Sequence, residues 1–252
     1  SVLKYRAVEM YGEPADAGRK KLTDVFHSFD LKVSGVTGMW GTSGGAGNSR
    51  MLLTTDPSLQ RRARNYVKKC VEMCQELGGS YLNVCIFADK RISIYDRTHR
   101  VIPERSKAKG RDTIRESLLE LARFAADCGV GLFVEPLNRY STPYCCNAGD
   151  AVKTVKIVDH ENLGMMLDTF HMNIEEDSFR NAIVGSKGLL RHMHFADNNR
   201  KMPGYGHIDF REIMAALQKV GYDEFITFEP TLENKEYDQS LRKGLRYIRS
   251  LA

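Results

Sequence analysis

The sequence predicts an α/β protein, a (β/α)8 barrel whose first βα unit is absent from this chain. Three observations lead there. Short β-type runs alternate with amphipathic stretches along the 252 residues, which is the pattern of parallel βαβ units. Barrels of this kind commonly run to about 250 residues as one domain, so residues 1–252 are expected to form a single domain. Four apolar runs in the second half, LFVEP, MMLDTFH, HMHFADNNR and ITFEP, carry Glu135, Asp168, His194 and Glu229 at or near their ends. Side chains on separate strands form one site only if the strand ends converge, and a closed parallel barrel does that at its C-terminal face.

The elements follow in order. Strands are expected at 5–9 (YRAVE), 31–37 (LKVSGVT), 80–87 (SYLNVCIF), 131–135 (GLFVE), 163–168 (LGMMLD), 189–195 (LLRHMHF) and 225–229 (FITFE). Each is rich in β-branched, aromatic or other apolar residues. Helices are expected at 16–29, 57–77, 108–128, 148–158, 175–184, 209–220 and 236–251. Asp56-Pro57 and Asp209 supply start signals, and Gly78-Gly79 and Gly221 supply stops. The strand count is seven. YRAVEMYGEPAD already reads as a second strand with its following loop, so a leading βα unit is expected to be missing. Two long loops belong to the catalytic face. The Gly-rich segment 40–50 lacks a nucleotide-loop pattern and reads as a rim or lid. The polar segment after Phe87 reads as a second rim.

Composition narrows the function classes. Hydrophobic residues make up 42% and charged residues 27%, which is ordinary for a globular protein. The net charge is +5 and the basic residues are dispersed, so no nucleic-acid partner is expected. No apolar stretch approaches the roughly 18 residues of a membrane span, and SVLKYRAVEMYG does not read as a signal peptide. The six cysteines show neither a disulfide framework nor a CxxC site. Free thiols and a cytoplasmic location are expected from them.

Each site residue has a bland alternative. Glu135 and Glu229 both precede a proline, which cannot continue strand pairing. A buried carboxylate is costly unless it is paired, so a salt bridge from Glu135 to Arg139 is the structural alternative. Asp168 could simply cap the next helix, and the same holds for Asp209. His192 shares a face with His194 but lies one layer deeper, as a hydrogen-bonded core residue would. Trp40 could pack on a sugar ring or simply on its neighbours. Taken together, three carboxylates and one imidazole suit an oxygen-preferring ion, Mn2+ first, with Mg2+ or Co2+ as alternatives. Four ligands leave two open positions on an octahedral ion. Adjacent oxygens of an α-hydroxy ketone would fill them, acidifying the C–H between for removal by a nearby glutamate.

The motifs VEPLNRY, MLDTFHMNIEED, HMHFADNNRKMPGYGHIDF and TFEP resemble the ketose 3-epimerase family, the D-tagatose and D-psicose 3-epimerases of the xylose isomerase-like TIM barrel superfamily. The resemblance runs from about residue 5 to the C-terminus and is strongest after residue 130. It implies an isomerase with Glu135, Asp168, His194 and Glu229 as metal ligands. Glu135 and Glu229 would also be the acid–base pair on opposite faces of C3, working through a cis-enediolate held on the metal. His171 and Arg200 match positions that bind the carbonyl end of the sugar. It further implies a small-molecule ketose as substrate and a homo-oligomer, either dimer or tetramer. Ser141 departs from the pattern, because several family members carry a substrate-holding glutamate there.

Three rivals stand beside this reading. Aldose–ketose isomerases, hydroxypyruvate isomerases and inosose dehydratases share the barrel and the chemistry beside a carbonyl. Endonuclease IV-like enzymes need further histidines at the third and fourth strand ends, and VTGMWGTSGG and VCIFADK supply none. A non-catalytic sugar-binding barrel would leave four buried polar groups without a partner ion.

Overall fold

The computed structural model describes residues 4–16, 18–40, 49–89, 102–232 and 237–251. Most of the Gly-rich segment and much of the polar segment after Phe87 lie outside them. The described chain folds as strands β1 (Ala7–Gly12), β2 (Lys32–Gly38), β3 (Tyr81–Val84), β4 (Gly131–Val134), β5 (Leu163–Asp168), β6 (Leu190–Phe195) and β7 (Ile226–Phe228). All neighbours pair in parallel and in sequence order, with β1 and β7 at the two ends of the order. Seven strands stand where a complete barrel of this class has eight. Between the end strands, the Tyr5 ring meets the Phe228 ring edge-on at 6.0 Å, and the Tyr5 hydroxyl donates to the Leu241 carbonyl at 3.1 Å.

The helices are α1 (Arg19–Ser28), α2 (Pro57–Glu76), α3 (Glu104–Asp127), α4 (Ala148–Val158), α5 (Thr169–Glu175), α6 (Phe179–Gly185), α7 (Phe210–Val220) and α8 (Tyr237–Arg249). Their ends follow local chemistry. Asp56 caps α2 by accepting from the Ser58 and Leu59 amides, with Pro57 in the first turn. Asn147, Ser178 and Asp209 cap α4, α6 and α7 in the same way. Gly221 ends α7 in a left-handed conformation at φ 73°. One face of each long helix packs on the sheet, through Ala63, Val67, Cys70 and Cys74 of α2 and Ile114, Leu118, Leu121 and Ala125 of α3. No helix among the described residues is long and apolar enough to cross a membrane.

Alternation along the strands sorts the side chains. Leu82, Val84, Leu132, Val134, Leu167, Met193 and Phe195 are buried in the apolar core. Glu9, Tyr81, Asn83, Glu135, His192 and His194 bond to one another in the barrel interior. Irregularities in register fall between Val8 and Glu9 and between Met165 and Met166, just before the polar strand ends. Bulges re-aim side chains in this way beside functional sites.

The elements differ from expectation at a few ends. β3 stops at Val84 because the following residues turn to a new partner. Leu53 donates to the Phe87 carbonyl, and Asp89 donates back to Leu53. β1 continues to Gly12, although Tyr11 is exposed and the chain beyond looked like loop. The helix expected at 175–184 is two short helices. Glu176 leaves the first to accept from the Ala148 amide, and Ser178 caps the second. α3 begins earlier, at Glu104, whose carboxylate pairs with Arg111 about two turns into the helix.

Candidate metal and acid–base site

The four acidic and imidazole side chains anticipated from strand ends come together. Glu135, Asp168, His194 and Glu229 each place a ligand atom within 4.8 Å of the others, a grouping able to hold a metal ion. Parallel pairing does the positioning. Asp168 sits opposite His194 in the β5–β6 register, and the Glu229 amide donates to Phe195 just past β7. The Glu135 amide donates to Val84, so this residue leaves β4 level with the end of β3.

Glu135 is buried, and Arg139 does not pair with it: that guanidinium binds Glu175 instead, with a contact of 2.8 Å. Its Oε2 accepts from the Asn83 side-chain amide and from the Cys85 thiol. Burial pushes its carboxyl up to about 7; His194 opposes that, and the nearby Glu229 and Asp168 charges add to it. Glu229 differs. Burial works against its ionisation as well, but the hydrogen bond from His194 and the Arg200 charge hold it below the usual carboxylate range. About a third of its side chain remains exposed, whereas the side chains of Asp168 and His194 are fully enclosed. The open side of the site is therefore the Glu229 side.

Asp168 performs both tasks considered for it. Oδ1 caps α5 by accepting from the Phe170 amide at 2.9 Å, and Oδ2 faces Arg200 and His171. Capping uses one oxygen, and the other is the one turned to the site, where it pairs with Arg200. Arg200 pairs with both Asp168 and Glu229 and lies over the Phe170 ring at 4.8 Å. His171 Nδ1 accepts from the Asn138 amide at 3.2 Å. That leaves the proton of a neutral ring on Nε2, which lies 3.6 Å from Asp168 Oδ2. Burial lowers the His171 pKa, in keeping with a neutral ring. Ser141 lies exposed in a turn, its amide donating to Asn138. Trp40 packs edge-on against Tyr66 at 5.4 Å. His207 and Asp209 serve the loop, the latter as cap of α7.

The donor set fits a divalent ion. Three carboxylates crowd around one buried imidazole, with no thiolate in the set, and hard oxygen donors of this kind suit Mn2+, Mg2+ or Co2+. Sequence reasoning missed Glu9, whose Oε2 lies 2.9 Å from His194 Nε2. The signal was present, because YRAVE ends on a carboxylate as GLFVE does. It also missed Asp197, which organises the loop carrying Arg200 and shows no pattern of its own.

Known proteins agree with this fold. A family model described as xylose isomerase-like TIM barrel matches residues 2–251. A D-psicose 3-epimerase of Ruminiclostridium cellulolyticum is 46% identical over 115 residues, which is 46% of this chain and 39% of that protein. The 3-dehydro-D-guloside 4-epimerase of Escherichia coli is 32% identical over 146 residues, 58% of this chain and 56% of that protein. The match thus spans less than two thirds of the length of each of these curated relatives. The crystal structure of D-psicose 3-epimerase with D-tagatose from Clostridium cellulolyticum H10 superposes with a TM-score of 0.81 at 27% identity. It covers 99% of this chain and 90% of that one. Seven sequential parallel strands and a family match along nearly the whole sequence lead to one conclusion: the chain belongs to the xylose isomerase-like TIM barrel family.

Proposed function

We propose that this protein is a divalent-metal-dependent isomerase that epimerises a ketose at C3. The observation carrying the proposal is the convergence of Glu135 and Glu229 with Asp168 and His194, and the resemblance to D-psicose 3-epimerases supports it. Glu135, Asp168, His194 and Glu229 would hold the ion, Mn2+ by preference, which when bound supplies Lewis-acid polarisation of a carbonyl. The two glutamates move the proton. Both lie in the same cluster, one from the end of β4 and one from the end of β7, so they can act on one substrate carbon. One carboxylate removes the C3 proton, and the other returns a proton from the opposite face. His171, through Nε2–H, and Arg200, through its guanidinium, bind the carbonyl end of the sugar. The fully buried Asp168 and His194 keep water from that side. The same reading carries a dimer or tetramer and a cytoplasmic location, the latter favoured by six free thiols.

A second reading has its own support. The Escherichia coli relative is named for epimerisation at C4 of a 3-dehydro sugar, and proton removal beside a ketone is common to both reactions. A panel of free and phosphorylated ketoses and 3-keto sugars, incubated with Mn2+ in D2O, separates them by the carbon that takes up deuterium. Uptake at C3 of a ketose is expected, and no uptake with any sugar would sink the proposal. Glu135→Gln or Glu229→Gln is expected to abolish C3 exchange. Full activity in either variant would remove the two-base mechanism.

A further inference from the structure

His194 has two ring nitrogens with different neighbours. Nδ1 lies 3.2 Å from Glu229 Oε2 and 3.9 Å from Glu135 Oε1, and Nε2 lies 2.9 Å from Glu9 Oε2. Glu9 reaches it from β1, on the opposite side of the ring from the candidate ligands. A carboxylate can only accept, so the contact to Glu9 calls for a proton on Nε2 and, with no ion between them, the contact to Glu229 calls for one on Nδ1; only the Nδ1 proton stands where an ion would bind. The Thr37 hydroxyl donates to Glu9 Oε1, so each carboxylate oxygen has its own donor.

His192 is the other imidazole near Glu9, and its Nε2 already has a closer partner. Nε2 lies 2.9 Å from the Tyr81 hydroxyl, and the distance from Nε2 to Glu9 is 3.6 Å, longer than a hydrogen bond. The Tyr81 hydroxyl therefore occupies His192 Nε2, and the short contact to Glu9 is the one from His194. Glu9, His192 and His194 form a cluster that could hold an ion on distance alone. The hydrogen bonds instead leave His194 as the ring donor to Glu9.

We propose that Glu9 is a positioning residue: it holds a proton on His194 Nε2 and fixes the ring so that Nδ1 is the nitrogen turned toward Glu135, Asp168 and Glu229, free to act as ligand once its own proton leaves. Carboxylates behind metal-binding histidines set the tautomer and orientation in this way. The inference rests on reading those four residues as a metal site, and it extends that reading to a fifth residue outside the ligand set.

The test uses the full chain with 15N-labelled histidine. Long-range proton–nitrogen correlation spectra are recorded without metal and with Mg2+, and Mn2+ affinity is measured by titration calorimetry. In the wild type, His194 Nε2 is expected to carry a solvent-protected proton in both states, with the Nδ1 shift responding to Mg2+. Glu9→Gln is expected to lose that protection and to bind Mn2+ about 10- to 100-fold more weakly. Glu135→Gln should also bind weakly but keep the Nε2 proton. Thr37→Val, a milder change that removes the hydroxyl holding Glu9, should weaken binding in the same direction, and it serves if Glu9→Gln does not fold. An unprotonated Nε2 in the wild type, or unchanged Mn2+ affinity in a folded Glu9→Gln, overturns the proposal. So does a second bound ion with Glu9 as its ligand. If the wild type binds no ion, the metal reading fails separately. The Nε2 proton of the metal-free wild type and of Glu9→Gln then decides the role of Glu9.

Discussion

Asp197 lies outside the candidate ligand set, yet it shapes the loop that presents Arg200. Its carboxylate accepts from the amides of Asn198, Gly204, Gly206 and Ile208, and it is wholly buried. Gly206 is required by proximity, because a side chain there would collide with Asn198 and Asp197. Within this knot Arg200 adopts φ 58°, a left-handed conformation that L residues enter at a cost. Asp197→Asn keeps the shape but sets an NH2 group against amide donors. It is expected to lower unfolding free energy by at least about 2 kcal/mol; an unchanged urea midpoint would show the knot to be dispensable. The thiols give a second check at this scale. Burial pushes Cys70, Cys74 and Cys146 up to about 12, and holds Cys85 and Cys145 well above an ordinary thiol by the same cause. The thiolate is the reactive form. With an aromatic disulfide reagent at pH 8, at most the half-buried Cys128 should react within minutes in the folded protein, and all six should react after denaturation. Fast reaction of several thiols in the folded state would contradict the packing.

Among the elements, α2 shows how local chemistry and packing combine. Asp56 and Pro57 start it, and its buried face lies against β2 and β3. Asp56→Ala should cost about 1 kcal/mol, read as a lower urea midpoint with an unchanged slope and no change in ion binding. An altered Mn2+ affinity would mean that the helix start reaches the site. β2 depends on a close approach instead. A Cβ on Gly35 would come within 2.6 Å of the Tyr81 ring, the group whose hydroxyl holds His192. Gly35→Ala is expected to destabilise by about 1–3 kcal/mol through overpacking, as thermal unfolding would show. The seven strands and most helices were legible from alternating apolar runs and capping residues. The break between α5 and α6 was not, because it depends on Glu176 meeting the Ala148 amide from another part of the chain. The early end of β3 likewise depends on Leu53, which is distant in sequence.

At the scale of the whole molecule, the site couples metal binding to protons and to stability. In the metal-free protein, burial raises Glu135 to about 7. His194 is held well above an ordinary imidazole, where burial opposes protonation but Glu9 and Glu229 outweigh it. Both protons must leave before these groups can serve as ligands, so ion binding should strengthen as pH rises through about 7. The metal-free fold works in the opposite sense for Glu135. Its folded pKa lies above the ordinary glutamate value of 4.5, so its contribution to stability falls as pH rises between the two. Saturating Mn2+ should therefore raise the melting temperature more at pH 8 than at pH 5.5. At 100 times Kd the gain is about 2.7 kcal/mol. Asp168→Asn should abolish the increment, and equal increments at both pH values would refute the linkage.

What the sequence determined by itself was the kind and order of the elements and the residues at strand ends. Periodicity and capping are local, and LFVEP, MMLD, HMHF and ITFEP each place a donor next to a strand terminus. Whether Glu135 paired with Arg139, and whether Asp168 capped a helix or faced the site, were questions about partners far along the chain. The tertiary structure answered them through Glu175 and through the two separate oxygens of Asp168. Glu9 illustrates the same limit. Its strand was readable, but its place behind His194 depends on β1 and β6 facing each other across the barrel interior. That relation arises only when the sheet curves round on itself.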